Sequence, residues 1–201
     1  FMSKINPNAA VAARSARVMT TKTLVYCALL AALQVVLARL LVPMPAVDTR
    51  FSIEAVPVFL AGALFGPIPG ALVGFTADLV GCLFSGYGYN PLFCIPPILY
   101  GLCGGFFRPY LARRGTGYWR IFLGFLPAVV FGSILYQSFS LAYVYGADGA
   151  FWQSLVLQLT KRGIQFAVTI FLDAAVATLL FKSRIFHRAG VWPPRPAKER
   201  P

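Results

Sequence analysis

Acidic side chains are scarce in this sequence: six Asp and Glu stand against 18 Lys and Arg among 201 residues. Histidine occurs once, at His187, and the four cysteines, Cys27, Cys82, Cys94 and Cys103, form no CxxC pair. A His/Cys metal cluster and a redox dithiol are thereby excluded, and the cysteines read as buried, inert thiols. The phosphate-binding pattern GxxxxGK[ST] is missing, so the chain does not hydrolyse ATP by that route. Two acids lie within apolar runs, Asp78 and Asp173, but at different depths, which leaves no carboxylate pair for general acid–base chemistry.

What fills the chain instead is apolar. Hydrophobic residues make up 58% and charged residues 12%, where a soluble domain carries roughly 45–50% and about 25%. Mean hydropathy is +0.71. Long stretches almost free of charge recur, each of the order needed to cross a hydrocarbon core of about 30 Å. The expectation is an all-α integral membrane protein with six transmembrane helices, in one membrane domain over residues 22–182 between polar tails at 1–21 and 183–201. The net charge of +12 would suit nucleic acid, but the basic residues sit in tails and short loops, where they fix membrane orientation.

Six segments are predicted: Thr23–Val42, Ile53–Phe65, Ile68–Phe84, Leu92–Leu111, Trp119–Tyr143 and Trp152–Phe181. The second would rise only ~20 Å and carries Pro57, so it is expected to be broken or extended by irregular backbone, which membranes tolerate inside protein. The apolar run behind the basic start leads straight into further segments and reads as a retained span. Fourteen of the 18 basic residues fall in the N-terminal tail, the turn around Arg113 and the C-terminal tail, leaving Arg39, Arg50, Lys161 and Arg162 on the other side. By the positive-inside rule both termini are cytoplasmic in a multi-pass protein of the cell membrane.

Polar residues inside the apolar layer are costly, at roughly 2.5–3.5 kcal/mol for a charge at the centre, and so mark candidate sites. Arg39 lies ~24 Å along the first segment. Together with Arg50, Lys161 and Arg162 it forms a cationic set near the outer mouth, suited to an anion. Asp78 follows Gly62, Gly66, Gly70 and Gly74 at four-residue spacing, a small-residue face for close helix packing. Its carboxylate would cap backbone, pair with a base or accept hydrogen bonds from a ligand; Asp173 reads as structural. The loop with Tyr87, Tyr89, Asn90 and Phe93 would stack on a flat ligand and read its edge, or belong to the aromatic belt. Tyr136 and Gln137 lie at the same depth, so the outer third is polar and aromatic, as a ligand pocket requires. Ala28 and Ala32 make a flat face for internal packing or for docking a partner.

The residues Ala28–Ala32 leading to Val36-Leu-Ala-Arg39, Arg50-Phe-Ser52 with Pro57, Leu64-Phe-Gly-Pro67, Gly74-Phe-Thr-Ala-Asp78 with Gly81, and Gly86–Phe93 with Tyr100-Gly101 together resemble the substrate-binding S components of energy-coupling factor (ECF) vitamin transporters, folate group. The order and spacing fit over about residues 22–105. Where folate-type members tend to carry Phe-Thr-Leu after the loop proline, Phe93-Cys94-Ile95 stands here. The resemblance implies an outward-facing vitamin pocket, no cofactor of its own, and partners that use ATP: a transmembrane coupling subunit and two cytoplasmic ATPase subunits. It gives Ala28 and Ala32 the docking role. In a folate site, the tyrosines and Phe93 would stack on the rings, Arg39 and Arg50 would hold carboxylates, and Asp78 or Asn90 would read the amino-pterin edge. The alternatives are an S component for riboflavin, pantothenate or a queuosine precursor, and a self-sufficient secondary carrier.

Overall fold

The computed structural model describes residues 20–39, 53–85, 90–145, 151–183 and 185–192. Among these every regular element is helical: α1 Thr21–Arg39, α2 Ala55–Phe65, α3 Pro67–Ser85, a short 3-10 turn Pro91–Cys94, α4 Ile95–Arg114, α5 Tyr118–Pro127, a widened π-type stretch Ala128–Tyr136, α6 Gln137–Tyr145, α7 Phe151–Lys182 and α8 Ile185–Arg188. Five spans are long and apolar enough to cross a membrane, with α5, the π stretch and α6 counting as one, and α2 is a shorter apolar helix beside them. This is the expected six-segment bundle.

Two expectations about these elements need correcting. Pro57 does not break the second segment. It is the third residue of an uninterrupted α2, in the first turn, where its missing N–H has no intrahelical acceptor to lose. The fifth segment is not one regular helix. Pro127 closes α5, since a proline cannot supply the next bond of the ladder. The backbone then widens, so that the Gln137 N–H reaches the Gly132 carbonyl five residues back.

Lipid is as apolar as leucine, so helices associate in a membrane through close packing rather than through hydrophobic exclusion. The glycines supply that packing where α2, α3 and α4 meet. A Cβ built on Gly62 would fall against the Gly101 carbonyl and 2.7 Å from the Gly105 nitrogen, and one on Gly70 would lie 2.6 Å from the Gly101 oxygen. One on Gly74 would strike the Pro97 carbonyl. Gly66 is different: with φ at 114° it makes the α2–α3 turn in a conformation that side chains disfavour. Gly124 admits the Phe59 ring, which stacks on Phe125 at 4.0 Å between centroids; both phenylalanines are fully buried.

α1 lies at the edge, packed chiefly on α2 and α3. Only 11% of its span is buried, with Cys27 and Gln34 turned inward. The packed unit extends beyond Lys182: Trp192 is buried and joins the same core as Phe181.

Candidate ligand site

One end of the bundle holds the described part of the aromatic loop. Asn90 caps the turn after it, its side-chain oxygen accepting from the Leu92 N–H at 3.1 Å and its carbonyl from the Phe93 N–H at 3.1 Å. Pro91 suits the first position of such a turn. The turn carries Cys94 inward, where it is buried and its thiol donates to Asp78 Oδ2 at 2.8 Å. Asp78 and Asn90 are therefore brought close in one construction: Asp78 anchors the loop's end onto α3, and Asn90 shapes it. Cys94, like a threonine, offers the hydrogen-bond donor that Asp78 accepts.

α6 packs against this turn and α7 against α6. Tyr136 and Gln137, both half-buried, close the π stretch; such widened turns recur at functional sites because they redirect the side chains that follow. Lys161 and Arg162 are half-buried on α7 and engaged by neighbours. Arg39 ends α1, with its side chain outside the described residues. Arg50, Tyr87 and Tyr89 lie outside them as well. The structure thus joins Asp78 to the Asn90–Cys94 turn, while two members of the four-cation set, Arg50 and the Arg39 side chain, lie outside the described residues.

Further polar groups, not anticipated as a set, line the interior. The Tyr100 hydroxyl and Ser133 Oγ lie 2.9 Å apart in a buried link between α4 and the π stretch. Gln165, Thr169 and Asp173 follow one another along one face of α7, all buried. Spacings of four residues place them in a file. Their sequence signal was the i, i+4, i+8 spacing itself. Asp173 was read alone as structural, and its Oδ1 has no hydrogen-bond partner among the described residues. Among the described residues no three His, Cys, Asp or Glu side chains gather to hold a metal ion.

Ala28 and Ala32 are exposed on α1, alongside Leu24, Val25, Leu29, Leu33 and Val36. Among the described residues nothing covers this small-residue face, which leaves it open to lipid or to another protein.

A bundle of apolar spans with a glycine-packed core defines a multi-pass helical membrane protein. Over residues 18–178 the chain matches the family of the ECF-type riboflavin transporter S component, and it belongs to that family. Its curated relatives include UPF0397 proteins of Streptococcus pneumoniae, strains CGSP14 and ATCC 700669 / Spain 23F-1. Each is 29% identical over 156 residues, covering 74% of this chain and 85% of the relative. Among solved structures it is similar to FolT bound with folic acid, with a TM-score of 0.64 and 26% identity over 81% of this chain and 98% of that one. The family is a transporter subunit family, not an enzyme family.

Proposed function

We propose that this chain captures a flat, ring-bearing vitamin of the folate type at the outer membrane surface and delivers it to an ATP-driven coupling module. The observation that carries this reading is the likeness to FolT bound with folic acid, which extends over 98% of that protein. In this reading the ligand lies against the Asn90–Cys94 turn. Phe93, Tyr87 and Tyr89 stack on its rings, and Arg39, Arg50, Lys161 and Arg162 attract its carboxylates. Tyr136 and Gln137 border it, and Asp78 keeps the turn in place. The partners are a transmembrane coupling subunit and two ATPases, and the chain itself needs no cofactor. Both termini are cytoplasmic, as the placement of the basic residues requires. A second reading has its own support: the family match is to riboflavin transporter subunits, and a flavin ring would stack on the same aromatics.

Membrane vesicles carrying this chain alone test the reading, its orientation and its substrate together. Right-side-out vesicles with no energy source should bind radiolabelled folic acid up to one per chain, and excess riboflavin should not displace it. Inside-out vesicles should bind it only once permeabilised. The reverse pattern overturns the orientation. Binding of riboflavin in place of folic acid transfers the assignment to the second reading, and binding of neither overturns vitamin capture.

A further inference from the structure

At the end of the bundle opposite the ligand site, residues 185–192, beyond α7, stay packed on the protein. α8 is followed by Gly190, whose φ of 66° is the left-handed conformation that ends a helix by folding the backbone back. The Val191 and Trp192 N–H groups then both donate to the Phe186 carbonyl, at 3.0 and 3.1 Å. This fold-back drives Trp192 into the core, where its ring meets Phe181 edge-on at 5.2 Å; Phe186 packs on the same Phe181 at 5.5 Å.

From this anchored segment a bond crosses to α1. Lys22 Nζ donates to the Ala189 carbonyl at 2.9 Å. The same ammonium lies 6.0 Å from the Tyr26 ring centroid, and Tyr26 stacks on Phe65 of α2 at 6.0 Å. α1 is mostly exposed and packs chiefly on α2 and α3. The Ala189–Lys22 bond therefore ties its first turn to the end of α7. Lys22 is six residues before Ala28, ~9 Å along the helix, so a tether at Lys22 restrains the tilt of the face that carries Ala28 and Ala32.

We infer that the segment Ile185–Trp192 is a strap that sets the tilt of α1, and with it the geometry of the face offered to the coupling subunit. The inference rests on the proposed docking role of α1. The strap is anchored by an apolar contact and steered by a charge-assisted hydrogen bond, which is directional. Trp192 holds the strap on the bundle, and Lys22 conveys its position to α1. Trp192 and Lys22 are positioning residues, remote from the ligand.

Four variants, Trp192→Ala, Lys22→Met, Lys22→Arg and Ala28→Trp, measured in the full transport complex and as isolated chains, test this. Trp192→Ala should lower ATP-driven vitamin uptake by about tenfold or more, while the isolated chain keeps its vitamin affinity within about threefold, a change of well under 1 kcal/mol. Lys22→Met keeps the apolar stem and loses the donor, and should lower uptake several-fold; Lys22→Arg restores the donor and should recover most of it. Unchanged uptake in Trp192→Ala and Lys22→Met, with Ala28→Trp inactive, overturns the strap and spares the docking role of α1. Normal uptake by Ala28→Trp overturns the docking role itself. Parallel loss of affinity and uptake in Trp192→Ala, with Lys22→Met normal, shows that the segment only supports the fold.

Discussion

Gly62→Leu should prevent this protein from folding. The substituted Cβ meets main chain on a neighbouring helix, the Gly101 carbonyl and the Gly105 nitrogen, and main chain cannot rotate away as a side-chain tip can. Overpacking a core that can yield costs roughly 1–3 kcal/mol. Here α2 must move off α4, which also disturbs its close approach to α3 at Gly70, so the loss should exceed ~3 kcal/mol, a large share of a typical total stability. Gly163→Ala is the control. It lies within α7, where the added carbon meets no other part of the described residues within 4 Å beyond its own turn of helix, and exchanging a helical glycine for alanine stabilises by roughly 0.5–1 kcal/mol. Thermal unfolding of the detergent-solubilised chains checks both. Gly62→Leu should yield no cooperative transition, or one far below that of the native chain, and Gly163→Ala a transition at or slightly above it. A folded Gly62→Leu with native melting behaviour would show that the three-helix seam does not hold the bundle together.

Ala28→Trp should have the second-largest effect, and on transport alone. Ala28 and Ala32 sit one turn apart on the exposed side of α1. A tryptophan there projects outward, where lipid accommodates it at little expense, so the isolated chain should fold and hold its ligand with affinity within about threefold of native. A partner helix seated on the alanines would be pushed off by the width of an indole. Close approach is what drives helix association in a membrane, so assembly with the coupling subunit should fail and uptake should fall by tenfold or more, ~1.4 kcal/mol or beyond. Ala32→Trp should behave alike. Loss of ligand affinity equal to the loss of uptake would show that the face serves the bundle instead.

The spans were legible because each is a nearly unbroken apolar run, and the bilayer leaves helices as the main way to satisfy backbone groups within such a run. The shortness of α2 and the glycine faces could be read for similar reasons. Pro57 misled because the effect of a proline depends on which turn it occupies, and a shift of a few residues in the helix start reverses the conclusion. The π stretch left no mark beyond Pro127, since its widened hydrogen bonding is a backbone property that the run Ala128–Tyr136 does not spell out. Asp78 and Asn90 were recognised as candidates, and Cys94 as a departure, but their joining depends on how the Pro91–Cys94 turn meets α3. The Tyr100–Ser133 link spans 33 positions of sequence and was hidden for the same reason. The segment after Lys182, basic and proline-rich as it continues, read only as a polar tail. Phe181, Phe186 and Trp192 show their meaning only once Gly190 turns the chain back.

The central claim, that this chain binds a vitamin and relies on partners for energy, meets its most direct test in reconstituted vesicles. The chain is inserted alone, with labelled vitamin outside and ATP inside, and compared with vesicles that also contain the coupling subunit and both ATPases. The account predicts saturable binding without accumulation for the lone chain, and uphill accumulation only when the partners and ATP are present. Sustained uphill uptake by the lone chain would contradict it.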